Sequence, residues 1–256
     1  MASLFNFKSS PFERKPETIL QQENNFVSSS LYEKESVLYN LQLVFLVDIS
    51  GSMEESDVDP DGVGRDGMLG RGKWTRFDNM VKLLKAMSTD LLKFDKDGKL
   101  PCYFFNGAVQ RMEFTDPNLL VAQVRTLKPG GTTALHLAFR QSLEELNDLD
   151  NFLYIVFTDG VPDDPTAVSQ FIEKEIYARD RGGDRINILF VRFGDDPEAM
   201  RYLQAQDDHP IYGGNVDTKS DNAAYVMGPK LLVLNAIYEE IENEPQWKAR
   251  LEGDLK

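Results

Sequence analysis

The chain of 256 residues sets 28 basic against 42 acidic side chains, a formal charge of −14, with 41% hydrophobic residues and one cysteine, Cys102. That length makes one large domain or two small ones, and area scaling buries roughly 70% of the extended surface, a core that needs no covalent staple. The negative far field argues against sequence-independent binding to phosphate backbones or anionic membrane surfaces. A lone thiol cannot close an internal disulfide, so a reducing, cytoplasmic setting is expected. Apolar runs such as Leu43 to Val47 are too short for a membrane span, and Met1 to Pro11 lacks the charged-then-apolar order of a secretory leader.

Residues 1–35 mix Phe5, Phe7, Phe12 and Phe26 with Ser, Asn, Gln and charge and show no sustained period. They read as an extended or partly disordered arm with room for a short helix over Pro16 to Asn25. From Leu41 the pattern changes. Leu41 to Val47 is a buried strand ending in Asp48. Trp74, Phe77, Val81, Leu84, Met87 and Leu91 make a helical stripe. Pro101 to Phe105 and Val109 to Phe114 predict a hairpin, Asn106-Gly107 supplying positive φ at its turn.

Pro117 to Leu127 is a short helix, and Gly130-Gly131-Thr132-Thr133 opens another that runs to about Asn147. Phe152 to Phe157 is a second buried strand. Asp164-Pro165 starts a helix that stops near Arg181-Gly182-Gly183, and Ile186 to Phe193 is a third strand. Asp196-Pro197 repeats the start signal. Ile211-Tyr212 or Val216-Asp217 forms a last edge strand, and Lys230 to Glu242 a terminal helix. Strands alternating with helices at this spacing predict an α/β fold, an open, mostly parallel sheet in three layers with helices on both faces. Ligands bind such sheets outside the carboxyl ends of the strands.

Three polar clusters reach that edge: Asp48-Ile49-Ser50-Gly51-Ser52, Gly130-Gly131-Thr132-Thr133 and Thr158-Asp159-Gly160. They offer two carboxylates, several hydroxyls and no histidine or cysteine. Hard oxygen donors suit Mg²⁺ or Mn²⁺, and Ca²⁺ also takes such ligands, whereas Zn²⁺ prefers nitrogen or sulfur. Asp48, Ser50 and Ser52 converge if the chain turns at Gly51. The bland alternative for each cluster is helix and turn capping.

These motifs, in this order and spacing, resemble the metal-ion-dependent adhesion site of the von Willebrand factor type A (vWA) family, over about Val37 to Glu242. The resemblance implies a Rossmann-like central sheet with one antiparallel edge strand and about six helices. It implies direct Mg²⁺ coordination by the Ser50 and Ser52 hydroxyls. Asp48 and Asp159 act through bound water or directly, and Thr133 is the matching threonine, with Thr132 the alternative. The implied activity is protein binding, not catalysis: the ion captures an Asp or Glu carboxylate of a partner. The domain then spans 36–243 and leaves a tail, 244–256.

Residues 53–73 form an acidic, Gly-rich insert with Glu54, Glu55, Asp57, Asp59, Asp61 and Asp66. The run from Asp57 to Gly62 resembles the start of a calcium loop, but the twelfth position is Met68 in place of the bidentate Glu, so a solvated acidic loop is the preferred reading. Asp163 and Asp164 extend this acidic rim, and a partner with basic surroundings about its acidic anchor is expected. His136 reads as packed or surface and Cys102 as inert core. No nucleotide loop or serine-hydrolase elbow is present, nor the basic–aromatic interleaving of nucleic-acid binders. Two alternatives compete with adhesion. One is a metal-assisted phosphoryl-transfer or hydrolytic enzyme, against which Ser50 stands where a second Asp is wanted. The other is a structural ion, with recognition through the insert or the arm.

Overall fold

The computed structural model describes residues 38–39, 41–57, 74–95, 97–145, 151–178 and 186–238. The apolar runs are strands: β1 (Leu41–Asp48), β2 (Leu100–Phe105), β3 (Val109–Phe114), β4 (Asn151–Thr158), β5 (Ile186–Arg192) and β6 (Val216–Ser220). They form a sheet ordered β3-β2-β1-β4-β5-β6, parallel throughout except for β3, which pairs antiparallel with β2 at one edge. Chain order therefore runs outward in both directions from the β1–β4 pair, which is the switch point where loops part and leave a crevice. The register brings Asp48 opposite Phe105, Val47 opposite Phe157 and Thr158 opposite Arg192, so the carboxyl ends of β1, β2, β4 and β5 finish level.

Alternate residues of the central strands feed opposite faces, and both are buried. Val44, Leu46, Tyr154, Val156, Ile188 and Phe190 pack with Leu135, Ala138, Phe139, Phe171 and Ile172 on one side. Phe45 and Phe157, of the opposite parity, meet edge to face with centroids 5.2 Å apart. Seven helices among the described residues cover the two faces: α1 (Arg76–Leu91), α2 (Pro117–Val124), α3 (Leu135–Glu145), α4 (Pro165–Phe171), α5 (Pro197–Asp207), α6 (Asp221–Met227) and α7 (Pro229–Ile237). Asp116, Asp164 and Asp196 cap α2, α4 and α5 by accepting a main-chain N–H at 2.7–2.8 Å, each followed by proline at the first helical position.

The expected α/β architecture is the one observed, and several details differ. Gly107 is not among the positive-φ glycines; the β2–β3 turn is closed instead by Asn106, whose side chain accepts the Ala108 N–H at 3.1 Å. The edge strand is β6 at Val216, while Tyr212 is buried in the core ahead of it. The helix after Asp164 widens to π-helical turns over Ile172–Tyr177, for which the structure offers no local cause, and α6 was not anticipated. The arm at 1–35, the insert beyond Asp57, the end of α3 at Asn147, the Arg181-Gly183 stop, and the residues after Tyr238 lie outside the described residues. No helix among the described residues is long and apolar enough to cross a membrane.

Asp95 ties the start of the sheet together. Its buried carboxylate accepts the Leu43 N–H at 3.0 Å and the Lys99 N–H at 3.2 Å, linking β1 to the turn before β2. Burial pushes its pKa up to about 6 against hydrogen bonds that pull it down. A carboxyl whose folded value is raised binds more protons folded than unfolded. Its contribution is therefore fully present below about pH 4 and is lost as pH rises through about 6. Urea unfolding of Asp95→Asn across this window should show a curve lower overall by about 1–3 kcal/mol, from the disturbed main-chain bonds. It should also decline less steeply than the wild type between pH 4 and 6, the remaining slope coming from Asp48 and Asp207, whose pKa values burial also raises. An unchanged slope would assign it elsewhere.

Candidate metal centre

The last ladder bond of β1 runs from the Ile49 N–H to Phe105 O at 2.8 Å. There the chain leaves the sheet. The Ser50 N–H turns back to Asp48 Oδ1 at 2.8 Å, and Gly51–Glu54 forms a 3₁₀ turn pinned by the fully buried Met53. This turn, and not a continuing strand, brings the two serines together: Ser50 Oγ and Ser52 Oγ are 3.1 Å apart. Ser52 Oγ in turn donates to Asp159 Oδ1 at 2.9 Å across the switch point. Asp48 Oδ2 accepts the Thr158 hydroxyl at 2.7 Å, so β4 supplies both Asp159 and the group that fixes Asp48. Asp48, Ser50, Thr158 and Asp159 are all buried and Ser52 is half-buried, which makes Ser52 the outermost of the five.

Of the predicted residues, Asp48, Ser50, Ser52 and Asp159 thus share one hydrogen-bonded chain. Thr133 is not bonded to that chain; the loop that carries it is docked beside the chain through the backbone of its glycines. The Gly51 N–H donates to Gly131 O at 3.2 Å and the Gly130 N–H to Ile49 O at 2.9 Å, which docks the 130–133 loop on the β1 turn. Gly131 takes φ +81°, a conformation that favours glycine. Thr133 is buried and Thr132 exposed, the latter with its Oγ1 over Gly107. Asp163 is not free rim: it accepts the Thr133 N–H at 3.0 Å, and its own N–H returns to Thr133 O at 3.0 Å. Asp164 is the α4 cap described above.

Sequence reading missed Arg76. Only 5% exposed, it donates from Nη1 to Asp159 Oδ2 at 2.8 Å and from Nε to Asp57 Oδ1 at 2.9 Å, and pairs through Nη2 with Asp57 and with Glu55. Glu55 and Asp57 are therefore engaged at the stem of the insert, where a solvated loop was expected. Only part of the signal lay in the sequence: Thr75 and Asp78 form a capping box that starts α1 and sets a cation at its first turn, after the six acidic residues of the insert, but nothing local points to Asp159. Burial, then the charge of Asp159, pushes the Asp48 pKa up to about 7. Neither histidine bonds the cluster: His209 stacks on Tyr212 at 3.8 Å and His136 Nδ1 is buried without a partner. Cys102 is fully buried, its thiol pKa pushed up by burial.

The donors brought together are hard oxygens, hydroxyl and carboxylate, the ligand chemistry that Mg²⁺ takes. Among the described residues no group of three or more His, Cys, Asp or Glu forms a metal cluster, so hydroxyls must supply part of any coordination shell here.

The chain matches no protein-family model and no curated protein. Among solved structures it is similar to an aerotolerance-related membrane protein from Bacteroides fragilis NCTC 9343 with multiple mutations to serines, at 16% identity over 80% of this chain and 100% of that one, with a TM-score of 0.50. It is also similar to the vWF domain of the type V pili tip protein Mfa5 from Porphyromonas gingivalis, at 10% identity over 79% and 94% of the two chains and a TM-score of 0.46. The ArnB paralog VWA2 from Sulfolobus acidocaldarius follows at 15% identity over 73% and 43%, with a TM-score of 0.42. The first of these likenesses concerns the fold alone.

Asp48 and Asp159 are both buried at this edge and only Asp159 is paired with the Arg76 guanidinium, so removing the Asp48 charge relieves the metal-free protein. Asp48→Asn keeps an acceptor for the Ser50 N–H, and its amide can donate to Thr158 Oγ1. In chelator its melting temperature should equal or exceed that of the wild type. A fall of several degrees would mean that the carboxylate charge itself holds the turn.

Proposed function

We propose that this edge binds Mg²⁺ and that the chain is a non-catalytic binding module, which captures an Asp or Glu side chain of a partner protein through the ion. The observation that carries this reading is the approach of Ser50, Ser52 and Asp159 oxygens to 2.9–3.1 Å at a switch point, with Asp48 fixed behind them. Ser50 and Ser52 supply hydroxyl ligands, Thr133 a third from the docked loop, and Asp48 and Asp159 balance the charge through water or directly. Bound there, the ion offers a coordination position to an external carboxylate oxygen. The likeness of the three motifs to the vWA adhesion site supports the same assignment.

The surroundings say what kind of acid would come. Glu54, Glu55, Asp163, Asp164 and Asp195 are exposed around the cluster, and the whole chain carries −14. An anchor set in Lys or Arg is attracted to that rim, whereas a wholly acidic partner is repelled before contact.

Mg²⁺ at about a hundred times its Kd should raise stability by about 2.7 kcal/mol, or roughly 5–10 °C in melting temperature for a domain of this size. Ser50→Ala/Ser52→Ala should abolish the rise, and a rise that survives would place the ion elsewhere. On a peptide array, sequences with one Asp or Glu among Lys and Arg should be retained in Mg²⁺ and lost at least tenfold in chelator. They should also be lost when the acid becomes its amide. Retention indifferent to both changes would remove the capture mechanism.

A further inference from the structure

The Arg76 side chain belongs to none of the three motifs, yet it is built into the edge from four sides. Its Nη1 holds Asp159 Oδ2, its Nε and Nη2 fork onto Asp57, and its main-chain N–H donates to Glu55 O at 2.9 Å. From the turn after β5 comes the fourth contact. Gly194 sits at φ +75° with its backbone flush against the pair, so a Cβ there would lie 2.9 Å from both Arg76 Cζ and Asp57 Oδ2. The Asp195 backbone also hydrogen-bonds the Asp57 carboxylate, which Arg76 holds below the usual carboxylate range. A planar guanidinium pinned at this many points has one orientation, which a lysine in its place could not reproduce.

That orientation acts on Asp159. Its two oxygens are separately engaged, Oδ1 by Ser52 and Oδ2 by a charge-assisted bond to a buried cation. Asp48 is divided in the same way, Oδ1 to the Ser50 N–H and Oδ2 to the Thr158 hydroxyl. Neither carboxylate can turn both oxygens on one ion without breaking a buried bond. Ca²⁺ takes six to eight oxygens and readily accepts bidentate carboxylates, whereas Mg²⁺ is content with six single oxygens and water. Resting on the metal-site reading above, we propose that Arg76 is a positioning residue that holds Asp159 to one-oxygen presentation. It thereby makes the site discriminate against Ca²⁺, and Asp57 and Gly194 keep it in place. The stem of the acidic insert is thus coupled to ion choice.

The test is Mn²⁺ binding to the full chain, followed by electron paramagnetic resonance, with Mg²⁺ and Ca²⁺ as competitors and far-UV circular dichroism to verify folding. The wild type should favour Mg²⁺ over Ca²⁺, and Arg76→Gln should shrink that preference at least tenfold while Mn²⁺ still binds. Arg76→Lys, which can donate to Asp159 Oδ2 but cannot fork to Asp57, should recover only part of the preference, leaving it between Arg76→Gln and the wild type. Asp57→Asn, which leaves Arg76 its Asp159 bond but loosens its seat, should shrink it at least threefold; it decides the matter if Arg76→Gln does not fold. A Mg²⁺ to Ca²⁺ ratio unchanged in the folded variants overturns the role of Arg76 and leaves the metal site standing. Failure of the wild type to bind Mn²⁺ at all overturns the metal site itself.

Discussion

Asp48 and Asp159 stand at neighbouring strand ends with their carboxylates out of reach of water, and the rest of the edge is organised by the need to accommodate them. Each oxygen of the pair has a partner, from the Ser50 N–H, the Thr158 and Ser52 hydroxyls and the Arg76 guanidinium. Hydrogen bonds satisfy the lone pairs but leave a charge imbalance, two anions against a cation that Asp57 already shares. Burial of that kind is costly unless a counter-charge arrives. The pKa of Asp48, pushed up to about 7, expresses the same cost in a different currency. A divalent ion bound by the neighbouring hydroxyls would resolve it.

Topology explains why these groups meet. Because β2 and β4 flank β1 on opposite sides, the loops that leave β1 and β4 diverge and open a crevice between them. The 3₁₀ turn after Ser50 folds the serines into that crevice, and the 130–133 loop is docked on the turn by two main-chain bonds. Fold and site are therefore not separable. The buried, two-faced strands that stabilise the sheet also set the level at which Asp48 and Thr158 emerge.

Much of this was legible in the residues. Long apolar runs ending in Asp48 and Thr158 mark central parallel strands, because only strands covered on both faces lack polar alternation. Asp-Pro pairs at 116–117, 164–165 and 196–197 mark helix starts for reasons of main-chain satisfaction alone. The hydroxyl and carboxylate cluster could be read because its members lie in short motifs at strand ends. Arg76 could not be read that way: it reaches Asp159 across 83 positions of sequence, and only the three-dimensional approach of α1 to β4 reveals the pair. The Gly107 turn misled for a related reason. The Asn-Gly pair signals left-handed backbone, but here Asn106 closes the turn with its own side chain, and its amide also donates to Gly130 O at 2.9 Å. α6 escaped notice because its seven residues are too short for a periodic stripe to show.

The central claim is that serine hydroxyls and two strand-end carboxylates share one cation. Its most direct test is a diffraction experiment on crystals soaked in Mn²⁺, with data collected where manganese scatters anomalously. An anomalous peak within coordination distance of Ser50 Oγ and Ser52 Oγ, with Asp159 beside it, is the predicted result. Density at that edge without a peak, or a peak seated elsewhere while the Ser50, Ser52 and Asp159 side chains stay bonded only to one another, would contradict the account.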